Sequence, residues 1–519
     1  MSVALDHHEV SLVSDLLERS ERRRIAALSA LPSHQQNDLG QFFTPIQAAR
    51  LIADQFDLPE AGRVRVLDPG AGSGTLTAAL AARIFTERPR LGVEIVAVEV
   101  DPSACLHLRN TLTDIRETGR SIGRSINFEL VEQDFIHACA GIADRHTALD
   151  KPFDLVIMNP PYRKLASSSL HRRMLLGQGV DCPNIYAGFI ALSVILLAKL
   201  GQIVAITPRS FTNGPYFSQF RNFLLDQVAL DRIHTFESRS TVFADTGVLQ
   251  ENIIVSATKG RAASLVTLST SFGHVDEVAT RVVQAAEVVR PNDRHRFIRI
   301  PSSMDDTAVA ELMASMPSQL TDLDLSVSTG RVVDFRAKDR LLDNQVASSV
   351  PLVYPGNLRG GIVEWPRQIR KPQAFKVESR SADMRRYLMP AGFYVVVKRF
   401  TSKEERRRVV AAVWNPDAVP SDVAFENHVN VFHSHSHGLD RGVAVGLSYW
   451  LNSSIVDAYF RTFSGHTQVN ATDLRSLRYP SLAALHAIGE ERGPKLPDQH
   501  EIDGVVEAMI ASRYTDVSA

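Results

Sequence analysis

The strongest constraint on this chain is an alternation that begins near Val64, in which short runs rich in β-branched residues are each followed by a stretch of helical character. The runs are VRVLD, VEIVAVEV, INFELVE, FDLVIMN and GQIVAITP, and most of the gaps between them suit a crossover helix. Parallel strands cannot be joined by a tight turn. Strands alternating with helices therefore predict an α/β fold with a doubly wound, mostly parallel sheet. Two further strands are expected in IHTFES and ENIIVSATKG, with a loop between them. The longest apolar run, IYAGFIALSVILLAKL from Ile185, carries a lysine and is too short to cross a bilayer, so it reads as a buried helix.

With 519 residues the chain exceeds one ordinary core. Residues 1–39 read as a polar helical lead-in, residues 40–285 as the catalytic body, and VVRPNDRHR as a linker. From 286 to 519 the alternation gives way to strands, prolines and basic clusters, as in a separate α+β domain. The 44% apolar and 22% charged residues suit a soluble protein, and no secretory signal or membrane span is expected. Three cysteines without a CxxC spacing indicate neither a disulfide framework nor a cysteine zinc site, which fits a reducing cytoplasm. The net charge of −1 hides a local excess: residues 359–408 contain fourteen Lys/Arg against five Asp/Glu. Phosphate neutralisation depends on such clustering rather than on the total.

VRVLDPGAGSGTLTAALAARIF reads as strand, glycine turn and helix. Gly70, Gly72 and Gly74 let the backbone approach a ligand closely. A dinucleotide fingerprint would place its third glycine at position 75, where this chain has Thr75, so a nicotinamide cofactor is disfavoured. Glu99, ending the next strand, is suited to accept both ribose hydroxyls of a nucleoside cofactor, and Asp68 precedes the turn. Upstream, GQFFTP places Phe43 and Thr44 before a helix that Thr44 is expected to cap, with Pro45 first in the helix. Such a helix N-terminus attracts a carboxylate.

The run FDLVIMN ends in Asn159-Pro160-Pro161-Tyr162. Proline has no donor for a central ladder, so the strand must finish at about Asn159, on the carboxyl edge where ligands bind. The two prolines stiffen the tip. They hold the Asn159 side-chain oxygen and the Pro160 carbonyl where both can accept from one exocyclic amine, while Tyr162 offers a stacking face. An adenine amine is a poor nucleophile because its lone pair is delocalised, and two acceptors favour a pyramidal nitrogen. The expected electrophile is the sulfonium methyl of S-adenosyl-L-methionine, with the protein supplying orientation and electrostatics.

The order GQFFTP, DPGAGSG, VEVDP, EQDF, NPPY and then a C-terminal recognition region resembles the gamma-class N6-adenine DNA methyltransferases of the PstI/BsuBI and TaqI type. The resemblance spans most of the chain. It implies a Rossmann-like class I methyltransferase body with a C-terminal target-recognition domain. It also implies cofactor contacts at Phe43, Thr44, Asp68, Gly70, Gly72, Gly74 and Glu99, with Asp134 beside the cofactor adenine and Phe135 next to it. Asn159, Pro160, Pro161 and Tyr162 become the catalytic tip. Phe243 takes the position of an aromatic that stacks on an extruded target base, with Phe211 and Phe236 as alternatives. Two segments, VSTGRVVDFRAKDR and RTFSGHTQVNATDLRSLRYP, resemble parts of PstI-like recognition regions. With the basic cluster they nominate Arg331, Arg399, Arg461, His466, Gln468 and Asn470 as contacts to double-stranded DNA. The family's habits add a separately encoded cognate restriction endonuclease and a monomeric state.

ENHVNVFHSHSHG invites a metal reading, but it lacks a carboxylate or cysteine complement and an HExxH spacing, so no metal is expected. The rival functions are an RNA or protein-glutamine methyltransferase and an inactive DNA-specificity protein. The size of the region beyond residue 290 weighs against the former, and the intact loop and acids against the latter.

Overall fold

The expected alternation folds as one nine-stranded sheet. The computed structural model describes residues 5–30, 43–140, 146–236, 251–271, 278–301, 304–377, 384, 386–401, 405–464 and 467–516. The chain divides into two units, residues 1–302 and 303–519.

In chain order the first unit contains α1 (His7–Ala30), α2 (Ile46–Ala53), β1 (Ala61–Pro69), α3 (Thr75–Glu87), β2 (Arg90–Val98), α4 (Pro102–Ser121), β3 (Ile126–Val131) and α5 (Phe135–Ala140). These are followed by β4 (Phe153–Met158), α6 (Leu170–Gly177), α7 (Ile185–Leu196), β5 (Leu197–Pro208), α8 (Ser218–Gln227), β6 (Val228–Phe236), β7 (Asn252–Lys259), β8 (Leu265–Ser271), β9 (Ala279–Gln284) and α9 (Ala285–Val288). The strand order is β3-β2-β1-β4-β5-β7-β6-β8-β9. Neighbours from β3 to β5 are parallel, β7 is antiparallel to both β5 and β6, β8 is parallel to β6, and β9 is antiparallel to β8.

Successive strand residues face opposite sides, and both sides are buried. Leu67, Val96, Val98, Val156 and Met158 pack with α5, α7 and α8; Val66, Ile95, Ala97, Leu155 and Ile157 pack with α1, α2, α3 and α4. This is the physical content of a doubly wound sheet. The apolar run from Ile185 is indeed a buried helix, although it stops at Leu196 and the chain re-enters the sheet directly. No helix among the described residues is long and apolar enough to cross a membrane.

Both ends of the first unit differ from the sequence-based boundaries. The lead-in helix α1 joins the body through buried Val13, Leu16 and Leu17, while Arg19 and Arg23 bind Asp114 of α4. The stretch read as a linker at 288–296 also packs onto this unit. The buried Arg221 guanidinium donates to the carbonyls of Phe211, Gly214 and His295, and Asp293 pairs with Arg299 at 2.7 Å. Ile298 and Ile300 then enter the core, so the division falls at 302/303 rather than 285/286.

The second unit is α+β. It contains α10 (Met304–Ser315), β10 (Ser326–Thr329), β11 (Leu341–Leu342), β12 (Ser349–Val353), β13 (Leu358–Arg359), β14 (Ile362–Val363), β15 (Ala374–Lys376), β16 (Leu388–Met389), β17 (Tyr394–Lys398), β18 (Ala411–Trp414), β19 (Val423–Phe425) and β20 (Val429–His433). The helices α11 (Arg441–Leu451), α12 (Ser454–Phe463), α13 (Ala471–Arg475), α14 (Leu482–Glu491) and α15 (Gln499–Asp516) complete it. A six-stranded sheet, β10-β20-β17-β18-β14-β13, and a five-stranded sheet, β11-β15-β12-β19-β16, share a core around Tyr394, Trp414, Phe425 and Val431.

Candidate active site

The carboxyl ends of β1, β2 and β4 meet at one pocket. After β1 the chain turns through Gly70, Gly72 and Gly74, with φ of 73°, 55° and 84°. At Gly72 the left-handed backbone coincides with a close approach: a Cβ there would lie 2.8 Å from the Phe43 ring. The Gly72 N–H donates to Glu99 Oε2 at 2.8 Å, and the Val100 and Asp101 N–H groups donate to Oε1 at 2.8 and 2.9 Å. Burial pushes the Glu99 pKa up, opposed by these three N–H donors. The three bonds leave acceptor capacity for a further donor, since a carboxylate has about four lone-pair sites.

Of the residues nominated from the sequence, Phe43, Gly70, Gly72, Glu99, Asp134 and Phe135 line this pocket together with Asn159 and Pro161. Asp68 and Gly74 are not on its wall. Asp68 is fully buried behind the turn, where Oδ2 accepts from the Thr77 hydroxyl at 2.5 Å and ties β1 to α3. Its other oxygen, Oδ1, is buried with no hydrogen-bond partner among the described residues. Burial pushes its pKa up to about 7, despite the Thr77 hydrogen bond, with the nearby Glu99 charge adding to the rise.

Thr44 does not cap the following helix. Pro45 occupies the cap position, and the Ile46 N–H donates to Glu21 of α1 at 3.1 Å. The carboxylate expected at this helix N-terminus is therefore one of the chain's own. The Thr44 hydroxyl instead accepts from Asn159 Nδ2 at 3.0 Å. On its other side, Asn159 Oδ1 accepts from the Tyr162 hydroxyl at 2.9 Å. The Asn159 carboxamide thus sits between two hydroxyls. Burial pushes the Tyr162 pKa up, which keeps the phenol protonated and able to donate. Its ring meets Tyr186 edge-on, and the Tyr186 hydroxyl lies 3.1 Å from Ser210 Oγ.

At the far side of the pocket the Asp134 carboxylate accepts from the His137 N–H at 2.9 Å and lies 3.3 Å from His171 Nε2. Burial raises its pKa, but the His171 hydrogen bond, the His137 N–H and the two imidazoles outweigh that and hold it below the usual carboxylate range. Asp134, His137 and His171 have ligand atoms within 4.8 Å of one another and are the trio among the described residues with a metal-binding arrangement. The wall also includes Phe189, whose ring lies 5.0 Å from that of Phe135, and Arg163, directly after the tip. Sequence reasoning did not single out His171, Phe189 or Arg163. Phe189 carried a signal only as part of the apolar run.

Phe243 lies outside the described residues, as does His466. The alternatives Phe211 and Phe236 are both core residues, 1% and 4% exposed.

In the second unit the two recognition-like segments converge on β20. β10 pairs with it directly, and Asn430 Nδ2 donates to the Val469 carbonyl at 2.7 Å. Arg399 and Gln468 are brought together by the bridge between Phe400 and Gln468 and by the Val469 N–H donating to the Arg399 carbonyl at 2.7 Å. The Arg399 guanidinium also donates to the Asn427 carbonyl at 3.0 Å, and the other described nominees bond within the fold in the same way. Arg331 donates to the Leu388 carbonyl and Ser436, Arg461 to Asp457 and the Glu405 carbonyl, and Asn470 forms a capping box with Asp473 on α13. The basic cluster is partly paired as well: Lys371 with Asp334, Lys398 with Glu405, and Arg408 buried against Thr401 and Ser464. In the histidine-rich loop, His428 pairs with Glu426, His435 with Asp324 and His433 with Ser328, so these three rings are each turned to a different neighbour.

Residues 100–243 match the Eco57I restriction-modification methylase family. The chain is 38% identical to the Type II methyltransferase M.BsuBI of Bacillus subtilis, over 96% of this chain and 99% of that one. It belongs to the Type II methyltransferase family. The methyltransferase is also 36% identical to M.PstI of Providencia stuartii, over 93% of its own length and 95% of the relative's. Its fold resembles that of the Type IIL restriction-modification enzyme MmeI, solved in complex with DNA, with a TM-score of 0.55 and 10% identity over 99% of this chain and 76% of the other.

Proposed function

We propose that this methyltransferase transfers the methyl group of S-adenosyl-L-methionine to the N6 amine of an adenine flipped out of duplex DNA at a specific short sequence. The observation that carries the reading is the Asn159 carboxamide, clamped between Thr44 and Tyr162 at the end of β4 and opening on the pocket that holds Glu99 and Asp134.

The residues suit the cofactor. The Gly72 turn forms a cradle that a Cβ would fill, and Glu99 retains acceptor capacity for ribose hydroxyls. Asp134, held as a carboxylate, is an acceptor for an adenine amine. Phe135 and Phe189 give the pocket an aromatic wall. When bound, S-adenosyl-L-methionine supplies an electrophilic sulfonium methyl. Asn159 Oδ1 and the Pro160 carbonyl accept from the target amine, localising its lone pair for attack. Tyr162 offers its ring to the base, and Phe243 is proposed as the opposing aromatic. The Asn159 oxygen is already oriented by its neighbours, so little reorganisation accompanies reaction.

Arg399 and Gln468 lead the candidates for reading DNA, because arginine suits guanine and glutamine suits adenine in the major groove. The first unit is proposed as the cofactor and catalytic domain and the second as the target-recognition domain. The protein then acts in the cytoplasm as a monomer and as the modification component beside a separately encoded endonuclease. The test is transfer of labelled methyl from S-adenosyl-L-methionine to unmethylated duplex DNA. Label recovered as N6-methyladenine, and lost in Asn159→Ala, supports the reading. Label appearing on RNA or on protein glutamine, with DNA unlabelled, contradicts it.

A further inference from the structure

Between the NPPY tip and α7 the chain makes an excursion, residues 163–184, that is braced throughout. Its base is closed where the Leu165 N–H donates to the Pro183 carbonyl and the Ile185 N–H to the Arg163 carbonyl, both at 2.8 Å, beside an antiparallel bridge between Lys164 and Asn184. Within it, Ser169 caps α6 and Arg172 binds Asp181 through two bonds of 2.7 and 3.0 Å. Leu175 is fully buried against Gly188 of α7, where a Cβ would lie 2.6 Å from it. The excursion is therefore a fixed wall rather than a loose crossover.

That wall sets His171 against Asp134, a residue of the pocket wall. Its Nε2 lies 3.3 Å from Asp134 Oδ2, while Oδ1 is held by the His137 N–H. The His137 N–H thus holds one oxygen of the carboxylate and the His171 imidazole stands against the other. The His137 ring stands edge-on to that of His171, at 5.3 Å between centroids. Asp134 lies on the pocket wall and His171 behind it, so His171 reaches the pocket through the carboxylate.

We propose that His171 is a positioning residue that fixes the Asp134 carboxylate as acceptor for the exocyclic amine of the cofactor's adenine, so that the segment following the catalytic tip also sets the cofactor's base specificity. This rests on the assignment of Asp134 to the cofactor adenine made above. A conformationally free carboxylate would lose conformational freedom and hydration before it could accept that amine, and the histidine removes the ordering cost in advance.

The test compares the dissociation constants of S-adenosylhomocysteine and S-inosylhomocysteine, whose 6-oxo group replaces the amine, for the full-length protein and four variants. Wild type should prefer the adenosyl compound by roughly tenfold or more, the worth of one charge-assisted hydrogen bond. His171→Ala should weaken adenosyl binding by roughly tenfold and leave inosyl binding nearly unchanged, and His171→Gln, which keeps an N–H donor, should recover part of the loss. Asp134→Ala should abolish the preference, and the double variant should bind no more weakly than Asp134→Ala alone, because His171 acts through Asp134. If His171→Ala does not fold, His171→Gln decides: a preference intermediate between those of wild type and Asp134→Ala supports the proposal, and a wild-type preference overturns it.

Loss of preference in Asp134→Ala but full retention in His171→Ala overturns the role of His171 alone. Retention in both overturns the Asp134 assignment and the proposal with it. Cofactor affinity that falls on dialysis against EDTA also overturns it, since Asp134, His137 and His171 would then be a metal centre.

Discussion

The Tyr162 hydroxyl donates to Asn159 Oδ1 across 2.9 Å, so the two polar groups of the NPPY tip orient each other before any substrate arrives. Asn159→Ala removes the acceptor itself. Transfer should fall by about two to three orders of magnitude while cofactor affinity stays within about twofold of wild type. Tyr162→Phe keeps the ring and removes only the donor, so kcat should fall by roughly tenfold at most. Single-turnover methylation beside cofactor titration separates the two; equal loss of transfer and cofactor binding in Asn159→Ala would contradict its role.

Thr44 accepts from the other end of the same carboxamide and is 5% exposed. Thr44→Val should lower kcat by roughly tenfold with the cofactor KM unchanged, and Thr44→Ser should restore it. A raised cofactor KM with normal kcat would instead return Thr44 to a cofactor-binding role.

Glu99 anchors three backbone N–H groups and faces the pocket. Glu99→Ala should weaken cofactor binding first, by about tenfold or more, because the proposed ribose acceptor and the anchor of the Gly72 turn disappear together. Equilibrium titration with S-adenosylhomocysteine checks this, and unchanged affinity would contradict the assignment.

Asp68 contributes a pH dependence whose sign follows from its pKa of about 7 in the fold against an ordinary value of 3.8. The native state holds a proton that the unfolded chain releases, so this contribution is fully present below pH 3.8 and is lost as pH rises through about 7. At roughly 1.4 kcal/mol per pKa unit, the loss between pH 5 and 8 is on the order of 2–3 kcal/mol. Asp68→Asn resembles the protonated form and removes this term. Urea unfolding at the two pH values should show wild type losing that much stability relative to the variant, whereas parallel losses would show that Asp68 titrates normally.

Arg399 and Gln468 should separate from Asn470 by assay. Gln468→Ala should weaken binding to cognate duplex, by about 1–3 kcal/mol if a base contact is lost, with the unfolding midpoint preserved, and Arg399→Ala should weaken it likewise while also losing its bond to the Asn427 carbonyl. Asn470→Ala should chiefly lower stability, by about 1 kcal/mol, because its capping box on α13 is lost. Competition binding and thermal unfolding distinguish these outcomes.

The parallel core of the sheet was legible because its strands are apolar on both faces and their tips carry glycine, acid and proline punctuation. The strands β8 and β9 were not anticipated: LVTLSTS is rich in serine and threonine, and most of ATRVVQ is exposed, so the apolar signal is weak. The first unit extends past VVRPNDRHR because Arg221, distant in sequence, holds that stretch by the His295 carbonyl, and polar clamps of this kind have no periodicity to read. Thr44 illustrates the same limit within the site. Its place beside the glycine turn was evident, but the partner of its hydroxyl depends on how the residues just before α2 meet the tip of β4. His171 lay in a polar stretch, SSSLHRR, with no spacing that linked it to Asp134.

Single-molecule sequencing of genomic DNA from a methylation-free bacterial host expressing this protein tests the central claim most directly. The account predicts N6-methyladenine confined to one short sequence motif and absent when the host expresses the Asn159→Ala variant. Unmodified genomic DNA, with the purified protein still binding S-adenosyl-L-methionine, would contradict it and direct the search to an RNA or protein substrate.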